Sequence, residues 1–250
     1  MLRSHSKGAL SEATIGNPGL SAMLALGVLL TLASEVSGKT PATGPVEPNL
    51  QITVRVYNYS GTSRGTLLRA EEEGSRIFGE AGVELVWLDC PTSHAEENKY
   101  PACAAPLGAM AVDLRLLPPF MADRLKSNRN EMGLALPCAQ PGSASAAWVF
   151  YQRVAEVAES RLASQSQVLG HAMAHEIGHL LLGPDHHSRG GIMRANWDQR
   201  YLEDASRGQL LFTRDQAELI RAEVQTRSGM MQLHMASQPA PRDLTAKAGR

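Results

Sequence analysis

The chain has 250 residues, 43% of them hydrophobic, which is enough for one sizeable core and argues against several domains. Its 24 Lys and Arg stand against 25 Asp and Glu, so no global field draws in nucleic acid or acidic lipid, and no nucleic-acid partner is expected. The densest charge run, Glu71-Glu72-Glu73, reads as a solvated helix face.

Arg3 and Lys7 precede an uncharged stretch whose most apolar part is 20–33, interrupted upstream by Asn17, Pro18 and Gly19. That is too short for a comfortable membrane span of about 20 residues. Residues 1–38 are therefore expected to be an export signal, with Ala33, Ser34, Ser37 and Gly38 as cleavage sites, or, if uncleaved, an N-terminal membrane anchor. Either way the remainder is expected outside the cytoplasm, in the periplasm, the cell envelope or the medium. Residues 39–49, with Pro41, Gly44, Pro45 and Pro48, read as a linker to a single domain at 50–228.

Export permits a disulfide. Cys90 and Cys103 flank the polar segment 91–101 and form the natural pair, leaving Cys138 over. A competing reading places Cys90, His94 and Cys103 in a second zinc site, but a fourth ligand is missing and the spacing fits no common pattern.

Along the chain, 52–57 alternates apolar and polar residues as a strand, and 67–79 carries Leu68, Ala70, Ile77 and Phe78 at helical spacing. Further strands are expected at 83–88 and 112–117, a loop at 118–145, and a strand at 146–151. A helix spans 165–182, with Ser164 and Gln167 as its capping box and Gly183-Pro184 as its stop. Thr213 and Gln216 open a last helix to about 227, and 229–250 reads as a disordered tail. The pattern predicts an α+β fold, a twisted mixed sheet with helices packed on it.

The helix at 165–182 carries His175, Glu176 and His179. Histidines four apart share one face, so two imidazoles can converge on one metal ion, with Glu176 close enough to reach a water there. Chance produces such a triplet at this His and Glu content in roughly 2% of chains, so the capped amphipathic helix around it adds weight. A catalytic zinc needs a third protein ligand and an open fourth position. His186 and His187 follow the glycine turn, while His171, one turn upstream, diverges along the axis and suits an outer or packing role. Asp185 has no assigned role.

These residues resemble the metzincin metallopeptidases, whose pattern is His-Glu-x-x-His-x-x-Gly-x-x-His followed by a methionine turn. Here Gly183 comes one residue late: the spacing from that glycine selects His186, and the His-Ser pair at 187–188 selects His187. A closer likeness is to exported bacterial metzincin-like proteins with His-Glu-Ile-Gly-His-Leu-Leu-Leu-Gly, His-Ser and Gly-Ile-Met-Arg with a nearby Trp, which match 175–183, 187–188, 191–194 and Trp197. That likeness favours His187 as third ligand and implies that Met193 lies in the turn beneath the zinc. It implies a strand at 146–151 at the sheet edge beside the substrate, and a C-terminal helix. The tyrosine that some metzincins use as an extra ligand is Ala195 here.

The expected activity is a zinc endopeptidase in which Glu176 takes the proton of a zinc-activated water. Two alternatives stay open: an exported zinc-binding protein without turnover, and a zinc hydrolase of another amide bond.

Overall fold

A computed structural model describes residues 49–97, 99–125, 131–136, 145–160, 162–184 and 186–237. The expected export segment, nearly all of the linker, Cys138 and Asp185 lie outside the described residues.

Strand β1 (Gln51–Asn58) buries Ile52, Val54 and Val56 on one face and Arg55 and Tyr57 on the other. Burial on both faces is the mark of an inner parallel strand, and β1 lies between β2 (Glu84–Cys90) and β3 (Ala111–Leu117), parallel to both. β5 (Ala146–Phe150) continues the parallel set beside β3, and β4 (Gly133–Leu136) closes the edge antiparallel to β5, giving the order β2-β1-β3-β5-β4. The expected mixed sheet is thus present, mostly parallel.

Helix α1 (Arg64–Glu80) starts at Ser63, whose side chain accepts from the Thr66 amide. Two single-turn helices follow β2, α2 (His94–Glu97) and α3 (Pro101–Ala104), tied back to it by the expected Cys90–Cys103 disulfide. The region read as loop holds more structure than expected: α4 (Pro119–Ala122), a 3-10 turn at Asp123–Leu125, and β4. The strand read at 146–151 ends one residue early, and Tyr151 opens α5 (Tyr151–Ala158). Then come α6 (Gln165–Leu182), α7 (Gln199–Ser206), which the sequence pattern did not reveal, and α8 (Arg214–Ser237). α8 passes the expected end near 227, so the first residues of the expected tail are helical.

α1 and α6 pack on one another and on the sheet, α1 against β2 and α6 against β3, β5 and β4. Among the described residues, no helix is long and apolar enough to cross a membrane.

On the other side of β1 the buried Arg55 is held by three hydrogen bonds. Its Nε donates to Asp113 Oδ1 at 2.8 Å, and its Nη1 donates to the carbonyls of Cys103 and Ala105 at 3.0 and 2.8 Å. Arg115 donates to the other Asp113 oxygen at 2.9 Å. A buried charge left without such partners would cost several kcal/mol (roughly 3–5). The disulfide therefore fixes the segment whose carbonyls complete this cage.

The run read as a solvated face is corrected. Glu71 is buried and Glu73 half-buried, because the inward stripe of α1 runs Leu67, Ala70, Glu71, Gly74, Ile77 and Phe78.

Candidate metal centre

α6 owes its position to its ends and to one close approach. The capping box forms as expected, with Ser164 Oγ accepting from the Gln167 amide and Gln167 Oε1 from the Ser164 amide at 3.0 Å. At the other end Gly183 adopts φ 102°, in the left-handed region that disfavours a Cβ. Midway, a Cβ at Gly178 would come within 2.7 Å of Met193 Sδ and 2.9 Å of Phe212. Without that side chain the fully buried Met193 lies directly against the helix.

Three imidazoles meet at the open face of this assembly. His175 Nε2 lies 3.1 Å from His179 Nε2, which lies 3.1 Å from His187 Nε2. His175 and His179 are buried and His187 is exposed. The ring protons are placed by backbone acceptors. His175 Nδ1 donates to the Ile192 carbonyl at 2.7 Å and His179 Nδ1 to the Gly183 carbonyl at 3.2 Å. With Nδ1 as the donor in each, the two Nε2 atoms face one another, an arrangement that suits a cation between them. Burial holds His175 neutral, pushing its pKa down to about 3, with the Ile192 carbonyl opposing and His179 and His187 reinforcing the shift.

Four-coordinate zinc with nitrogens at 2.0–2.1 Å would set them about 3.3 Å apart. The observed separations come close to that, so the donor set fits a small borderline dication and the group can hold a metal ion.

The Ile192 carbonyl also accepts from the Tyr201 hydroxyl at 2.7 Å, and Trp197 packs edge-on to His175 with ring centres 6.4 Å apart. Glu176 is buried beside the cluster, its carboxyl pushed up to about 8 by burial first and by the charge of Glu131 second. A dication at the histidine nitrogens acts in the opposite sense. Glu176 and the three histidines line a cleft of about 350 Å³ together with 131–135, Pro184, Ala195, Asn196 and Trp197.

The expected positions sort cleanly. His175, His179 and His187 come together, with Glu176 beside them. His186 is exposed and outside the cluster, near Gly183. His171 is fully buried away from the cluster, its Nδ1 donating to the Gln167 carbonyl at 2.8 Å and its Nε2 3.4 Å from Glu73 on α1. The expectation that 146–151 forms the sheet edge is overturned: β5 is interior, and β4 is the edge strand lining the cleft. Sequence reasoning missed β4 and Tyr201. Gly-Leu-Ala-Leu offers no polar alternation, and Tyr201 acts through a backbone carbonyl that no side-chain pattern reveals.

Fold and site together define an α/β protein with a three-histidine group suited to a metal ion. No protein-family model and no curated protein matches the chain. A search of solved structures returns the solution structure of TM1509 from Thermotoga maritima, at 15% identity and a TM-score of 0.32 over 76% of this chain and 98% of that one. A likeness at that level carries no argument about fold or activity.

Proposed function

We propose that the chain is an exported zinc-dependent endopeptidase of metzincin-like type. The observation that carries this reading is a buried carboxylate, Glu176, beside three converging imidazoles in a cleft walled by a sheet-edge strand. A general base beside a metal group is superfluous in a pure binding site. The Cys90–Cys103 disulfide supports an oxidising compartment, as does the composition of 1–38. Met193 against α6 and the late helix α8 are in keeping with the methionine turn and C-terminal helix that the resemblance implies.

His175, His179 and His187 would hold the zinc through Nε2, with Ile192 and Gly183 orienting two of the rings. When bound, the ion supplies a Lewis acid that lowers the pKa of water and polarises a carbonyl. Glu176 accepts the proton of the attacking water and passes it to the leaving amine, splitting the amide into an acid and an amine. β4 offers its outer backbone edge along the cleft, so an extended peptide can be held through main-chain hydrogen bonds.

The test is zinc content and digestion of a broad peptide library by the chain freed of 1–38, beside Glu176→Gln. The variant is expected to hold equal zinc and to cleave at least about 100-fold more slowly. A zinc-loaded wild type that cleaves no peptide sinks the reading, in favour of a binding protein or, if a cell-wall amide is cut, another amide hydrolase. A Gln variant as fast as wild type removes Glu176 from the mechanism.

A further inference from the structure

We propose that Gly133 is a positioning residue: by lacking a side chain it provides the space on β4 that the Glu176 carboxyl group occupies. This rests on the reading of Glu176 as general base. A Cβ built on Gly133 collides with Oε1, Cδ and Cγ of Glu176, and these are its three nearest neighbours. Gly133 does not have a positive φ, so alanine brings no backbone strain and the conflict is confined to one side chain.

Neither backbone can easily retreat, so the conflict falls on the Glu176 side chain. Gly133 is paired with Val149, and the adjacent Met132 carbonyl accepts from the Phe150 amide at 2.8 Å, which pins β4 to the sheet. Glu176 leaves a helix held by its caps and by the Gly178–Met193 approach. The next position on the same face of β4, Ala135, does carry a Cβ and is buried. The strand-to-helix gap thus accepts a methyl group there, whereas at 133 the room is taken by the carboxyl group. A methyl at 133 forces Glu176 into another rotamer while the three histidines, held by other contacts, stay in place.

Two cycles test this. In the first, melting temperatures of zinc-loaded wild type, Gly133→Ala, Glu176→Ala and the double variant are compared. Gly133→Ala is expected to lower Tm by about 2–6 °C, and the loss should vanish when residue 176 is alanine. In the second, Gly133→Ala should keep one zinc per chain and a KM within about 2-fold, yet lose at least about 10-fold in kcat, part of the roughly 100- to 10,000-fold that acid-base catalysis is worth. Glu176→Asp, whose carboxyl is withdrawn by one methylene, should cost less in the Gly133→Ala background than in the wild-type one.

An equal Tm loss in both backgrounds overturns the proposal, as does an unchanged kcat in Gly133→Ala. Failure of both Gly133→Ala and the double variant to fold also overturns it, because removing the Glu176 side chain should relieve the collision. If zinc-loaded wild type cleaves nothing, the peptidase reading falls and the melting cycle alone decides whether Gly133 places the carboxyl group.

Discussion

Ile192 contributes to the site through its backbone. Its carbonyl accepts from both His175 and Tyr201, so a residue without functional side-chain chemistry fixes the tautomer of a candidate ligand. The two adjacent histidines differ in the same concrete way. His187 turns its Nε2 to His179, while His186 faces solvent beside the Gly183 turn. His187→Ala should weaken zinc binding by more than the roughly 10- to 100-fold that loss of an outer partner brings, and His186→Ala should leave it within about 2-fold. Competition titration against a chelator reads both, and zinc lost by His186→Ala but kept by His187→Ala would reverse the assignment. The sequence alone placed the two helical histidines because i and i+4 share a face. Between 186 and 187 the glycine spacing and the His-Ser likeness pointed opposite ways; the likeness favoured 187, while the path of the chain after Gly183, which decides the matter physically, is not set by helical spacing.

Element by element, legibility followed how local the causes are. α6 was readable from end to end because its start is a four-residue capping box and its stop a Gly-Pro pair. α5 was not: its N-cap is Phe150, with no side-chain capping bond, and it begins directly at the end of β5. β4 is four residues long and takes its identity from pairing with β5, a partner not yet known when the chain is read forward. Ser164 offers a test of the local part. Its Oγ accepts from the Gln167 amide, and its loss leaves that donor uncapped while the reciprocal bond from the residue 164 backbone amide to Gln167 Oε1 stays available. Ser164→Ala should destabilise by about 1 kcal/mol, lowering Tm by about 2–4 °C, with the zinc stoichiometry intact. A Tm within error of wild type would show that tertiary packing alone fixes where α6 begins.

Over the whole molecule, the buried charges are where the sequence was least informative, because their partners are remote in the chain. Arg55 and Asp113 are 58 positions apart, and nothing in either neighbourhood marks them as buried partners. Glu71 is the contrasting case: the apolar stripe of α1 passes through it, but two flanking charges suggested a solvated face. In the fold its Oε1 has no hydrogen-bond partner among the described residues. Its pKa is raised from 4.5 to about 7, first by burial and then by the charge of Asp89, with Arg64 opposing and a hydrogen bond with Asp89 adding to the rise. The consequence for stability has a definite sign. Below pH 4.5 Glu71 is protonated in both the folded and the unfolded chain, and it makes no difference. Between 4.5 and about 7 the unfolded chain releases this proton and the folded chain keeps it, so stability falls as pH rises through that window. Above it both forms are ionised and the loss is complete. Glu71→Gln removes the titration while keeping the shape, so other groups that titrate in the same range cancel in the difference between the two proteins. Urea unfolding at pH 5 and pH 8 should show the Gln variant gaining on wild type at the higher pH. If the difference in unfolding free energy is the same at both, Glu71 is not held protonated in the fold and this account of its burial is wrong.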